Sequence, residues 1–185
     1  SMVFGSYLAL RELGRGGMGT VYLAIRNDDA FRKTVALKVL RGDDEDFVRR
    51  FKQERQILAA LDHPHIARIL DGGTTPDNRP YFVMEYVEGK QIDAWCDATK
   101  AGLAERLRLF LQVLAAVQYL HDNNVIHRDL KPGNILVDRH GHVKLLDFGI
   151  AKIQGLAGLP GTREIQGGGP TMMMTPGYAA PEQLE

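Results

Sequence analysis

Four polar residues lie close together in VIHRDLKPGNILVDRHGHVKLLDFG, residues 125–149. Asp129 and Asp147 are carboxylates, Asn134 offers a neutral oxygen, and Lys131 is a cation two residues beyond the first acid. Hard oxygens with coordination positions to spare suit Mg²⁺, which takes a few carboxylate or amide oxygens together with phosphate and water. The elements between them must bring these groups together. Residues 135–137 and 143–146 are short apolar runs that read as two strands, with Asp138-Arg139-His140-Gly141 as turn chemistry between them. A turn centred on His140-Gly141 sets Asn134 opposite Asp147, and a slip of a couple of residues still brings both to the open end of the hairpin, with Asp129 just upstream.

The N-terminal part of the chain offers groups for phosphates. Residues 7–13 predict a strand, Gly14-Arg15-Gly16-Gly17-Met18-Gly19 follows, and residues 20–26 predict a second strand. A GxGxxG run signals dinucleotide binding only when a helix follows it at once. Here TVYLAIR follows, which is strand-like in its β-branched and aromatic content. The run is therefore the tip of a hairpin whose glycines let backbone amides approach phosphates. Residues 31–40 predict a third strand, and its period of two puts Ala36 and Lys38 on one face. Alanine leaves room for a flat base, and the lysine can reach phosphate oxygens.

Residues 43–61 predict a helix with acids in its first turn. Phe47, Phe51, Leu58 and Leu61 share one apolar face, and Glu54 falls on that face too. A carboxylate turned inward needs a partner, and Lys38 is the candidate. His63 and His65 read as structural. Strands at 66–70 and 81–86, joined by the turn-rich stretch 71–80, complete a five-stranded antiparallel sheet with one helix. A short helix is expected at 91–98 and a long one at 103–122. The long helix carries Leu107, Phe110, Leu111, Leu114 and Val117 on one stripe and Leu109, Val113, Ala116 and Leu120 on much of the other side. A helix this apolar expects burial on several faces.

HRDLKPGN followed by DFG resembles the catalytic loop and metal-binding element of protein kinases, most closely the eukaryotic-like serine/threonine kinases of bacteria. The resemblance implies an α+β, two-lobe fold. Residues 1–86 would form the small lobe, and residues 87–185 the hinge and the first part of a helical large lobe. It implies ATP and Mg²⁺ as cofactors and phosphorylation of serine or threonine on proteins, the chain itself included. Asp129 would orient the substrate hydroxyl and accept its proton, and Lys131 would steady the γ-phosphate and favour serine/threonine over tyrosine. Asn134 and Asp147 would hold Mg²⁺, while Lys38, fixed by Glu54, would hold the α- and β-phosphates. Gly14, Gly16 and Gly19 would form the phosphate loop. Val21, Ala36, Met84 (the gatekeeper) and Leu136 would surround adenine, with the backbone of Glu85 and Val87 as its hinge contacts. Arg128 implies control by loop phosphorylation, since a guanidinium there can bind a phosphothreonine.

Residues 150–182 form a glycine-rich stretch broken by prolines and without periodicity, which reads as a mobile functional loop. Thr162 and Thr171 within it are the expected autophosphorylation sites, Thr171 first. Thr175 matches a structural threonine of the family. The stretch ends in TPGYAAPE, which resembles the substrate-receiving segment closed by the APE motif. The chain stops three residues later, so the resemblance reaches only the first part of the family's catalytic domain. Two expectations follow. Turnover should be impaired relative to nucleotide binding, and the chain should self-associate through the surface that further helices cover in the family, with exchange of the long loop as one route.

With 185 residues the chain can form one large domain or two small lobes. Its 23 basic and 23 acidic residues cancel, so neither a nucleic-acid footprint nor a polybasic membrane patch is expected. Cys96 stands alone, which excludes an intrachain disulfide and fits a cytoplasmic setting, either free or as the cytoplasmic part of a membrane-anchored protein. No apolar run is long enough to span a bilayer. Ser1-Met2 reads as a cloning remnant. Two other classes use similar residues: a nucleotide-binding scaffold without turnover, and a small-molecule phosphotransferase.

Overall fold

The computed structural model describes residues 2–17, 19–27, 33–41, 45–148 and 176–178. Its main sheet contains β1 (Met2–Phe4), β2 (Tyr7–Gly16), β3 (Gly19–Arg26), β4 (Thr34–Leu40), β5 (Ile69–Thr74) and β6 (Pro80–Glu85). These six strands run β1-β2-β3-β4-β6-β5, every neighbouring pair antiparallel. The five expected strands are present, and β1 is added at the edge, so Met2 belongs to the sheet.

The period of two in β4 divides two cores. Ala36 and Leu40 face one cluster with Phe47, Phe51 and Leu58 of α1 (Glu45–Ala59) and with Leu61 just beyond it. Val35, Leu37 and Val39 face the other, with Phe4, Tyr7, Ala9, Ala24, Tyr81 and Val83. Phe4 explains the added strand: its ring lies 6.0 Å from Tyr22 and 5.6 Å from Tyr81, capping a face that would otherwise leave aromatics in water. On the same face the Tyr7 hydroxyl donates to Asp71 Oδ2 at 3.0 Å. Burial and that carboxylate together push its pKa up to about 12.

Strand β5 starts later than the expected 66–70 and runs into the turn-rich stretch. Ile66 and Ala67 are fully enclosed and cross to a second sheet instead, where Ile66 bridges Leu145. Asp71-Gly72-Gly73-Thr74 can serve as strand because β5 is an edge, and a Cβ at Gly73 would come within 2.6 Å of the Tyr81 hydroxyl.

The second sheet has order β7-β8-β9, formed by β7 (Gly89–Gln91), β8 (Ile135–Asp138) and β9 (Val143–Leu145). Helices α2 (Ile92–Ala98) and α3 (Leu103–Asp122) flank it. Gln112 of α3 latches the β8–β9 turn, accepting from Val143 N–H at 2.8 Å and donating to the Gly141 carbonyl at 3.2 Å. Only one face of α3 is buried: Leu109, Val113, Ala116 and Leu120 recur every three or four residues. The other stripe stays in solvent, with Leu107, Phe110 and Leu111 each more than half exposed and Leu114 at 47%. The expected burial on several faces is therefore not met among the described residues, because a single sheet can cover only one side of a helix. No described helix is long and apolar enough to cross a membrane.

Candidate active site

The glycine-rich run is the tip of the β2–β3 hairpin, with Gly16 paired to Gly19 and Gly14 to Val21. Gly19 has φ +144°, and a Cβ there would strike the Val39 carbonyl oxygen at 2.1 Å. Only glycine fits that position. Gly14 and Gly16 have open space where a Cβ would lie, so the hairpin's backbone can be approached closely. The cross-strand register then sets Val21 against Lys38, Ala36 against Met84, and Lys38 against Phe82. Val21, Ala36 and Met84 thus line one apolar cluster that also takes in Phe148. Leu136 is half-buried on β8, and Val87 is half-buried in the irregular segment between the sheets. Glu85 N–H is already held by the Arg68 carbonyl at 2.9 Å, so any hinge bond from that residue would use its carbonyl.

The resemblance pairs Lys38 with Glu54. In the structure Lys38, 4% exposed, meets Asp147 Oδ2 at 2.8 Å. Among the described residues its ion pair is with Asp147 and not with Glu54, which is half-buried on α1. Asp147 has φ 58°, a left-handed conformation that takes the chain out of the β9 pleat and re-aims the carboxylate.

The β8–β9 register lies one residue from the pairing centred on His140-Gly141, within the slip that the sequence allows. Ile135 pairs with Leu145 and Val137 with Val143, so the turn centres on His140 and Asn134 faces Leu146, whose N–H donates to the Asn134 carbonyl at 2.8 Å. The Asp138 side chain sets this tighter turn by accepting from His140 and His142 N–H at 2.8 and 2.9 Å. Burial raises the Asp138 pKa, but those two hydrogen bonds and the neighbouring imidazoles outweigh it and leave the carboxyl below its usual range. A one-residue slip in a pleated pair reverses every side chain. Asn134 escapes because it ends a 3-10 turn (Pro132–Asn134), and Asp147 because of its positive φ.

Asp129, Lys131 and Asn134 do converge. Asn134 Nδ2 donates to the Asp129 carbonyl at 2.7 Å and to Asp129 Oδ2 at 3.0 Å, while Lys131 Nζ lies 2.9 Å from the same Oδ2. Both Asp129 and Asn134 are buried. With its amide nitrogen so engaged, Asn134 has Oδ1 left for a cation, and Asp147 likewise has Oδ1 beyond its bond to Lys38. That donor set fits Mg²⁺, which accepts an amide and a carboxylate oxygen and leaves other positions to phosphate and water. Among the described residues no cluster of three His, Cys, Asp or Glu forms a protein-only metal cage.

His127 had no role in the sequence reading. It is 3% exposed, its Nε2 lies 2.8 Å from the Leu146 carbonyl, and its Nδ1 accepts from Asp129 N–H at 3.3 Å. Burial lowers its pKa, and a neutral imidazole protonated at Nε2 satisfies both partners. It thus ties the loop bearing Asp129 to the segment bearing Asp147. Its neighbours gave little signal, since the partner that defines it comes from another strand. Arg128 is half-buried with φ 69°. Thr162, Thr171 and Thr175 lie outside the described residues.

The Protein kinase domain family matches residues 7–185. The chain belongs to the protein kinase family. This kinase domain is 39% identical over 185 residues to the serine/threonine-protein kinase PrkC of Bacillus subtilis, covering 98% of the chain and 27% of that relative. It is 40% identical over 189 residues to PknJ of Mycobacterium tuberculosis, covering 98% of the chain and 30% of PknJ. Among solved structures, the kinase domain of Mycobacterium tuberculosis PknI superposes with a TM-score of 0.69 at 31% identity, over 85% of the chain and 67% of PknI's. The domain thus spans less than a third of the curated relatives' length, and its two-sheet core is that of the family's fold.

Proposed function

We propose that this domain transfers the γ-phosphoryl group of ATP to serine or threonine hydroxyls of proteins, including its own loop. The observation that carries the reading is the convergence of two clusters: Asp129–Lys131–Asn134 on one loop, and Lys38–Asp147 beneath the glycine hairpin. Phosphoryl transfer needs in-line positioning and charge neutralisation more than covalent help from the protein. Residues 1–86 would act as the small lobe and residues 87–185 as the hinge and start of the large one. Val21, Ala36, Met84 and Leu136 would sandwich adenine, and the open backbone at Gly14 and Gly16 would lie over the phosphates. Lys38 would turn to the α- and β-phosphates, with Glu54 the carboxylate on α1 suited to receive it.

Asn134 and Asp147 would hold Mg²⁺, which would supply positive charge to the phosphates. Asp129 would accept the hydroxyl proton as the substrate oxygen bonds to the γ-phosphorus. The bond to the β–γ bridging oxygen breaks, and its electron pair leaves with ADP. Lys131 beside Asp129 would steady the moving phosphoryl group, and Arg128 would engage a phosphorylated loop residue. A cytoplasmic setting, free or as the cytoplasmic part of a membrane-anchored protein, would supply the ATP.

The test is label transfer from γ-labelled ATP with Mg²⁺ to the chain, to a generic basic protein and to a panel of small-molecule acceptors. Label is expected on protein, with Thr171 the leading site, Thr162 next and Thr175 last. Nucleotide binding without transfer would show a scaffold, and label only on small molecules would show another phosphotransferase.

The exposed stripe of α3 leads us to propose a second copy of the chain as a partner. At roughly 25 cal/mol per Å², a few hundred Å² of apolar surface withdrawn from water is worth several kcal/mol. Light scattering at tens of micromolar should show dimers or larger species, reduced to monomer by Leu107→Glu with Leu111→Glu. A monomeric parent chain would refute this.

A further inference from the structure

Two ion pairs join the six-stranded sheet to the β8–β9 hairpin, and they have opposite polarity. The sheet supplies a cation at Lys38 and an anion at Glu85, and the hairpin side supplies an anion at Asp147 and a cation at Lys144. Lys38 Nζ lies 2.8 Å from Asp147 Oδ2. Lys144 Nζ lies 3.0 Å from Glu85 Oε1 and 3.1 Å from Glu85 Oε2, so it sits astride the carboxylate. Both side chains of this second pair are largely withdrawn from solvent, at 19% and 32% exposure.

Glu85 is anchored from a third direction as well. Its Oε2 accepts from Arg68 N–H at 3.3 Å, while its own N–H donates to the Arg68 carbonyl. The same 65–68 segment is stitched to β9, where Leu145 N–H donates to the His65 carbonyl at 2.8 Å and Ala67 N–H to the Leu145 carbonyl at 3.0 Å. Lys144 lies directly across the ladder from Leu136. The contacts close a ring: β6 carries Glu85, Glu85 meets Lys144, the chain runs on to Asp147, Asp147 meets Lys38, and β4 pairs back onto β6.

Resting on the proposed phosphotransfer reading, in which Asp147 and Lys38 part to serve metal and phosphate, we infer that Glu85–Lys144 is the positioning strut that keeps the hinge and the hairpin in register during that exchange. Neither side chain needs to touch the nucleotide. Their work is to hold the Glu85 backbone, Leu136 and Asp147 at fixed separation, which is what preorganisation of the cleft requires. The opposed polarity adds specificity, because sliding the hairpin so that the pairs exchange partners would bring Lys144 to Lys38 and Asp147 to Glu85.

The test uses Lys144→Met, Glu85→Gln, Lys144→Arg and the exchange Glu85→Lys with Lys144→Glu in the whole chain. The first readout is amide hydrogen exchange without nucleotide. Lys144→Met should speed exchange at Glu85 and Leu145 while leaving the β2–β3 ladder unchanged, and Lys144→Arg should restore parent rates. The second readout is affinity for Mg-ATP, expected to fall about 2- to 150-fold in Lys144→Met and Glu85→Gln, the range that coupling between contacting residues spans. The exchanged pair should recover at least part of that loss. Unchanged rates at both amides, or acceleration spread evenly over the whole chain, would overturn the strut. If the parent chain binds no nucleotide the phosphotransfer reading fails, and the amide rates still decide whether the strut exists.

Discussion

Asp129→Asn is expected to lower phosphoryl transfer about 10²- to 10⁴-fold, the range a positioned general base contributes, while nucleotide affinity and melting temperature stay near the parent values. The geometry explains why the fold should survive. Asn134 Nδ2 donates to Asp129 Oδ2 and, at 2.7 Å, to the Asp129 carbonyl. An asparagine at 129 keeps an oxygen for the first bond, and the second does not involve its side chain. What disappears is the negative charge that faces Lys131 and the site that takes the hydroxyl proton. Lys131 is part-exposed, so its ammonium can turn to water at little cost. Single-turnover label transfer together with nucleotide titration would separate the two effects. Transfer within a few-fold of the parent would remove Asp129 from the role of base.

Asp147→Asn and Lys38→Met should both abolish effective transfer, yet they should differ sharply in stability. Lys38 is enclosed at 4% exposure, and its partner Asp147 is 20% exposed at the side chain. Replacing Asp147 strands an ammonium inside the protein, a change that typically costs ~3–5 kcal/mol. Replacing Lys38 by methionine fills the same space with an apolar chain and leaves a carboxylate that can reach water. Removing one partner costs less when the charge left behind keeps part of its hydration, and the Asp147 side chain is 20% exposed. Calorimetry without nucleotide should therefore place Asp147→Asn several degrees below Lys38→Met, given about 2–4 °C per kcal/mol in a chain of this size. Equal melting temperatures, or a less stable Lys38→Met, would mean that the 2.8 Å pair does not dominate the cleft in solution.

The exposed face of α3 shows where sequence pattern stops being informative. Leu107, Phe110, Leu111 and Leu114 form as regular a stripe as Leu109, Val113, Ala116 and Leu120, yet only the second is enclosed. Periodicity identifies an amphipathic or fully apolar helix. It does not say which of two equal stripes meets the sheet, because that depends on the angle at which β9 approaches.

The features legible in the chain alone are those that near neighbours encode. TVYLAIR after the glycine run argued for a hairpin over a dinucleotide-binding strand–turn–helix, and the observed Gly16–Gly19 pairing agrees. The alternation in β4 put Ala36 and Lys38 on one face, and the spacing of Asp129, Lys131 and Asn134 brought all three into one loop cluster. Tertiary structure decided the partners. Lys38 had two carboxylates to choose from on grounds of charge, and in the fold it meets Asp147, whose positive φ takes its carboxylate out of the β9 pleat. The hairpin register moved by one residue because the Asp138 side chain captured two turn amides. Glu85, for which the resemblance implied only a backbone role, and Lys144, which had none, meet because β9 crosses the 65–68 segment. Pattern and turn chemistry act over a few residues, whereas the pairing of a buried charge is fixed only when distant strands supply the one partner within reach.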